Sequence, residues 1–355
     1  MGTFNLSKLN RELRRVGASM NRAFTRRFHE PRRQRIHDRE RSKRLQIIPG
    51  PQALESKLAI FVLYQPDGLA VSVFFTLRHL ASEGYATDVV INGPVSEDDL
   101  CRLRLLSRRV LLRPNIGYDF GAYRDALLTL FDEQVNPDHL LLLNDSTWFP
   151  LRPNDSSIAH MEALGVDLAG QVFKTEYATR SRHDHLEAHC LLVSRDLFTG
   201  ADFRAFWRGY VMSDDRTTTV ETGEKGLTQA MLKGGHAVGA LLDKERFLAL
   251  LDEQDESAFD ELLSHLVLHR DDARAQWQVI RQTPHPQRRA DALAWIDHAL
   301  SNARQYLISS TFIEPAMRLA ALPFIKKTSD PRYQLARRHI LAAEKEGRIP
   351  RSHRK

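Results

Sequence analysis

Cysteine is scarce, with two in 355 residues. Cys101 and Cys190 each sit in an apolar pattern without metal-ligand spacing, which leaves a cysteine-built metal cluster unsupported and suits a reducing compartment. Long apolar runs are missing as well. Nothing approaches the roughly 20 consecutive apolar residues that cross a bilayer, and the opening MGTFNLSKLNRELRR lacks the apolar centre of a secretory signal. A cytoplasmic protein is the expectation. Two phosphate-binding signatures are also absent, the GxGxxG fingerprint and the GxxxxGK[ST] loop, so neither hydride transfer nor P-loop ATP hydrolysis has support. No internal repeat is evident.

Charge is abundant but unevenly spread. The net charge is +6, yet residues 8–44 hold fourteen Lys or Arg against four acids. That segment alone carries +10 and leaves −4 for the rest. Within it Leu6, Leu9, Leu13, Val16, Met20, Phe24 and Phe28 recur every three or four residues, the stripe of an amphipathic helix whose other faces are largely arginine. Pro31 is expected to break it. Such a helix suits an anionic membrane surface, here through residues 1–45, and equally suits packing on its own domain or on a partner. Nucleic acid has less support, because no aromatic stacking platform or reading motif accompanies the charge. Pro49, Gly50 and Pro51 mark the passage to the globular part. The expected organisation is a basic arm over 1–50, an α/β domain over 51–245 and a helical region over 246–355.

From Leu58 onward apolar strand-length runs alternate with helical periodicity: 58–63, 87–91, 110–112 and 140–143 as strands, 71–82 and 122–132 as helices, with Ser96 capping a third helix. Further strands are expected at 167–173 and 189–194. Such alternation predicts an α/β fold with a mainly parallel sheet. Ligands of open α/β sheets sit at the carboxyl ends of the strands, so Asn115 to Gly121 and Asn144 to Ser146 should share one crevice.

The stretch NIGYDFGAY offers a glycine turn, Gly117 and Gly121, at a helix start. Free backbone N–H groups there suit an anionic ligand such as a diphosphate, and Asn115 and Asp119 add hydrogen-bonding side chains. A tight turn satisfying its own backbone explains the same residues. Asp145, between Asn144 and Ser146, ends an apolar strand where it could bind a divalent ion bridging phosphates, orient a sugar hydroxyl or cap the next turn. Glu221 and Glu224 precede a helix at 225–232, as first-turn acids or as a general base for an acceptor hydroxyl. His185, Glu187 and His189 would share a strand face; substrate contact or core support is preferred over metal, since a third defined ligand is missing.

Taken together, RPNIGYDFGAYRDAL at 113–127, LLLNDSTWFPL at 141–151, HLEAHCLLVSRDLF at 185–198 with FRAFW, and EKGLT at 224–228 resemble the rhamnan synthesis protein F family of bacterial polysaccharide glycosyltransferases. The LPFIK at 322–326 is a weaker echo of the same family. The resemblance implies a GT-A-like fold, a nucleotide-sugar donor, a saccharide or lipid-linked acceptor and a role in cell-surface polysaccharide synthesis. It places Asn144-Asp145-Ser146 where an Asp-x-Asp motif would hold Mg or Mn, and Glu224 near the acceptor-activating acid. Only one carboxylate remains in the first of these motifs, which puts metal dependence in question. Glu187 and His189 depart from the family's Gln and aromatic residue.

Overall fold

The computed structural model describes residue 25 and residues 29–175, 177–178, 181–182, 184–301 and 305–352. The apolar stripe from Leu6 to Phe24, and Phe28, lie outside them. Thirteen strands are described: β1 Gln46–Pro49, β2 Lys57–Leu63, β3 Tyr85–Asn92, β4 Arg109–Arg113, β5 His139–Asn144, β6 Thr147–Trp148, β7 Leu168–Lys174, β8 Tyr177–Ala178, β9 Ser181–Arg182, β10 His185–Leu186, β11 Cys190–Ser194, β12 Val238–Leu242 and β13 Ile325–Lys326. Nine form one sheet in the order β1-β4-β3-β2-β5-β11-β7-β10, with β12 on β7. The strands β4, β3, β2 and β5 run parallel, whereas β11 is antiparallel to both β5 and β7. It is the mixed, mainly parallel sheet flanked by helices that the alternation of elements predicts.

The continuous apolar strands are explained by burial on both faces. In β2, Leu58, Ile60 and Val62 enter one core while Ala59, Phe61 and Leu63 enter the other; Leu140 and Leu142 of β5 part from Leu141 and Leu143 in the same way. Strand direction also sets where function can sit. Because β7 points the same way as β5, the ends Asn92, Arg113, Asn144 and Lys174 gather at one edge, and the antiparallel β10–β11 segment begins there.

The described residues of 246–352 pack into the core of the sheet. Phe247, Phe259, Ile296, Phe312 and Ile340 join the cluster that holds Phe61, Val89 and Leu141, and β13 pairs antiparallel with β6.

Pro31 lies in the first turn of a helix, and the expected break of the helix before it falls outside the described residues. Glu30–Arg44 is helical with proline in its first turn, where a missing N–H costs nothing. This helix docks through polar side chains. Glu30, Gln34 and His37 are buried at helical spacing. Ser213 Oγ donates to Glu30, Gln34 donates to Tyr210 O and accepts from Met212 N, both at 2.7 Å, and His37 Nε2 lies 3.0 Å from both oxygens of Asp125. Arg33 and Arg41 pair with Asp214 and Asp132, and Arg124 pairs with Asp38.

Asp125 itself is fully buried and also accepts from Arg113 Nε at 2.8 Å. Burial pushes its pKa up, but the His37 hydrogen bond and the Arg113 charge outweigh burial and hold it below the usual value. Its stabilising contribution is therefore present above the unfolded-state value of about 4 and fades as pH falls through the lower folded value. Asp125→Ala leaves a buried guanidinium without its counter-ion and is expected to cost about 3–5 kcal/mol. Urea denaturation at pH 7 measures this, and a loss under about 1 kcal/mol would refute the assignment.

Candidate functional site

Arg113, at the end of β4, shapes the loop that follows. Its guanidinium donates to Asn92 Oδ1, to Ile116 O at 2.9 Å and to Asp125, while Asn92 Nδ2 donates to Tyr118 O at 3.1 Å. The chain then turns through two residues of positive φ, Gly117 at +76° and Tyr118 at +53°, and enters the helix Tyr118–Asp132. Glycine is required by close approach as well. A Cβ on Gly117 would lie 2.8 Å from Met212 Cβ, and one on Gly121 2.1 Å from Ile116 O.

That turn is not an open anion cradle. Gly117 N donates to Asp214 Oδ1 at 2.7 Å, so a carboxylate of the chain occupies the place expected for a phosphate, and its other oxygen takes Arg33. Gly117 and Gly121 shape the loop, and neither they nor Asn115 line the cavity it borders. What the turn delivers to the cavity is Asp119.

The cavity, of about 630 Å³, opens at the carboxyl edge of the sheet. One wall carries Asp119, Asn144 and Ser146; a second carries His185 and His189; a third carries Arg216, Glu221, Glu224 and Lys225. Asn144 Nδ2 donates to Asp119 Oδ2 at 2.9 Å, and Asn144 Oδ1 accepts from Ser146 N and Oγ. The third wall depends on a π-turn, Val220–Glu224, a feature that often marks functional sites. Gly223 makes it possible, since a Cβ there would come within 2.6 Å of Phe120. Glu224 Oε1 accepts from Ala188 N at 3.2 Å, and Glu221 pairs with Lys225 at 3.0 Å.

Asp145 and Glu187 do not line the cavity. The Asp145 carboxylate turns to the end of β2, where it accepts from Tyr64 N at 3.2 Å and Gln65 Nε2 at 2.8 Å. Glu187 is fully buried beside Lys326 and Lys174. The His189 ring packs at a tilt against Phe324, and its Nε2 lies 2.9 Å from Gln171 Oε1. Burial, with the Lys326 charge added, pushes the His189 pKa down to about 3, so its ring is neutral. The expected His185–Glu187–His189 strand face is thus split by the break between β10 and β11: the two histidines reach the cavity and the glutamate is a buried counter-ion.

The residues do not fit a divalent cation held on Asp145. Its oxygen Oδ2 already takes two N–H donors, and the Lys327 ammonium is near enough to act on its charge. Among the described residues, the one group of three side chains with metal-like convergence is His265, Glu314 and His339. None of the three lines the cavity.

Several lining residues escaped sequence reasoning. Lys174 closes β7, Arg216 opens a short helix, and Leu307, Lys326, Thr328, Asp330, Arg332 and Tyr333 come from the carboxyl-terminal region. That last segment is tied in by Lys327 N donating to Ser146 O at 2.8 Å and by the β13–β6 pairing. The LPFIK echo at 322–326 is the one signal in the sequence that points to it.

The fold and cavity define an α/β protein with a polar, mixed-charge cleft at the carboxyl edge of its sheet. The profile of rhamnan synthesis protein F matches residues 88–266, and the chain belongs to that family. An uncharacterised protein from Sinorhizobium fredii (strain NBRC 101917 / NGR234) is 31% identical over 242 residues, which is 68% of this chain and 63% of that relative. The chain thus spans less than two thirds of the relative's length. Solved structures overlap it in part. A putative nucleotide-diphospho-sugar transferase from Desulfovibrio desulfuricans G20 superposes with a TM-score of 0.32 at 16% identity, over 53% of this chain and 81% of its own. The mannosyltransferase Ktr4p from S. cerevisiae does so at 0.30 and 10%, over 57% and 75%.

Asp119 carries a pronounced electrostatic tension in the cleft. It is partly open to the cavity but surrounded by protein at depth. Burial, together with the Asp145 and Glu224 charges and against Arg216, raises its pKa to about 7. A carboxyl raised in the folded state imposes no penalty below the unfolded value of about 4, and imposes it in full above about pH 7. Asp119→Asn is therefore expected to raise stability at pH 8 by about 1–3 kcal/mol, discounted for the cavity's solvent, and to change it little at pH 4. Thermal melts at both pH values test this; a destabilised variant at pH 8 would contradict it.

Proposed function

We propose that this chain is a GT-A-like glycosyltransferase, moving a sugar from a nucleotide-sugar donor to a saccharide or lipid-linked acceptor in cell-surface polysaccharide synthesis. The observation that carries it is the convergence of Asp119, Asn144, Ser146 and Glu224 on one polar cleft in a member of this family. A cleft of about 630 Å³ falls within the range of ligand pockets, about 300–1,000 Å³. Asp119, positioned by Asn144, hydrogen-bonds the donor sugar or ribose. Glu224 accepts the proton of the acceptor hydroxyl as its oxygen bonds to the anomeric carbon, and the nucleoside diphosphate leaves with the electron pair of the broken bond. Rhamnose, named in the family's description, is the first donor sugar to try.

Glu224→Gln keeps the shape of the side chain and loses its basicity. Sugar transfer should fall about 10²–10⁴-fold with donor affinity retained, measured as release of nucleoside diphosphate and by titration calorimetry. Wild-type turnover in this variant would remove Glu224 from the mechanism.

The turned-away carboxylate of Asp145 favours a second function, a catalytically silent sugar-binding scaffold of a polysaccharide assembly complex. Donor binding without transfer or hydrolysis, across a panel of nucleotide sugars, would decide for the scaffold.

The docked helix supports a position on the inner face of the plasma membrane. Arg32, Arg35, Ile36, Arg39 and Lys43 share its exposed face, and basic residues near an anionic surface contribute about 1 kcal/mol each. Arg35→Glu with Arg39→Glu should release the protein from phosphatidylserine-containing liposomes in a sedimentation assay. Unchanged partitioning would argue against the membrane role.

A further inference from the structure

Lys174 and Lys326 reach the same carboxylate from distant parts of the chain. Lys326 Nζ lies 2.5 Å from Glu187 Oε2, and Lys174 Nζ lies 3.4 Å from Oε1, which also accepts from Ser309 Oγ at 3.1 Å. Glu187 is 1% exposed at its side chain, whereas the lysines are 16% and 17% exposed and both line the cleft. The group holds two ammonium charges and one carboxylate. His189 Nδ1, 3.6 Å from Glu187, adds no charge because the ring is neutral. Glu224 acts on Lys326 from further off, but its carboxylate accepts from Ala188 N and forms no direct ion pair with the lysine.

Among these directly paired groups positive charge therefore exceeds negative by one, at a largely desolvated wall of the cleft, with Glu224 the next acid to act on it. Folding would avoid that arrangement if stability were its purpose, since a one-to-one pair, or an apolar pair, is cheaper to bury. Surplus buried positive charge is what an anionic ligand compensates, and ammonium groups bind phosphate as compact point charges.

We propose that Lys174 and Lys326, poised on Glu187, form a phosphate subsite that neutralises a phosphate or diphosphate in this cleft without a divalent cation. This rests on the transferase proposal for the ligand's identity, and on the charge arrangement alone for the existence of the site. Glu187 is a positioning residue: it holds both ammonium groups at the wall and limits their excess to one charge. The phosphate belongs either to the nucleoside diphosphate that leaves the donor or to a lipid-linked acceptor.

Titration calorimetry in EDTA tests the site with inorganic pyrophosphate, with UDP, GDP and dTDP, and with undecaprenyl phosphate in detergent micelles. Wild-type protein should bind pyrophosphate without metal. Lys326→Met should weaken it at least 10-fold, yet melt no lower than wild type, because Lys174 and Glu187 then balance. Glu187→Gln should act oppositely, tightening pyrophosphate binding while lowering the melting temperature. Tighter binding of one nucleoside diphosphate than of pyrophosphate assigns the site to the donor; tighter binding of the lipid phosphate assigns it to the acceptor. Pyrophosphate binding that requires Mg, or that Lys326→Met leaves unchanged, overturns the subsite. If the charge-dependent binding holds while every donor goes untransferred, the subsite stands and the transferase proposal falls. If transfer persists in Lys326→Met with unaltered phosphate affinity, the transferase proposal stands and the subsite falls.

Discussion

The buried carboxylate of Asp125 is the constraint on which most of this architecture depends. It receives Arg113 from the end of β4 and His37 from the amino-terminal helix, so one side chain joins the sheet, the helix Tyr118–Asp132 and the arm. A buried charge of this kind adds little net stability when paired, but it is costly to leave unpaired. It therefore fixes which partners must meet. Arg113, anchored there, reaches on to Asn92 and Ile116 O and holds the loop that presents Asp119. The arm contributes a second support, because Arg33 and Gly117 N share the carboxylate of Asp214.

The cleft is organised by charge in three zones. Around Asp119, negative groups crowd one another and raise its pKa. On the π-turn wall, Glu221 and Lys225 balance, leaving Glu224 as the acid held by a backbone N–H. A further part of the lining carries Lys174 and Lys326, which share Glu187. The proposed transfer of a sugar from a diphosphate would call on both walls, an acid–base group on one and phosphate-compensating cations on the other. The tension at Asp119 is the kind of cost that binding sites carry in exchange for function.

Local pattern makes much of the fold legible. Leu58–Leu63 and Leu140–Leu143 read as strands buried on both sides, Ser96 reads as a helix cap and its side chain accepts from Asp99 N, and Gly234–Gly235 read as a helix end. Of the candidate residues, Asp119, Asn144, Ser146, His185, His189, Glu221 and Glu224 do face one cleft. Asp145 and Glu187 do not, because neighbouring residues of a chain point to different sides and only their partners decide which side is the site. The helix Glu30–Arg44 escapes local pattern for a related reason: Glu30, Gln34 and His37 form its buried stripe, and apolar periodicity cannot register a stripe made of hydrogen bonds.

What the sequence by itself determined was the order and type of the elements, and with them the edge where the cleft opens, since strand and helix periods are short-range properties of neighbouring residues. Tertiary structure alone decided which charges met. Lys326 arrives from the carboxyl-terminal region to share Glu187 with Lys174, and Asp214 fills the turn at Gly117. Such pairings are set by distances across the folded core, where low polarity makes each charge seek a partner that no local pattern announces.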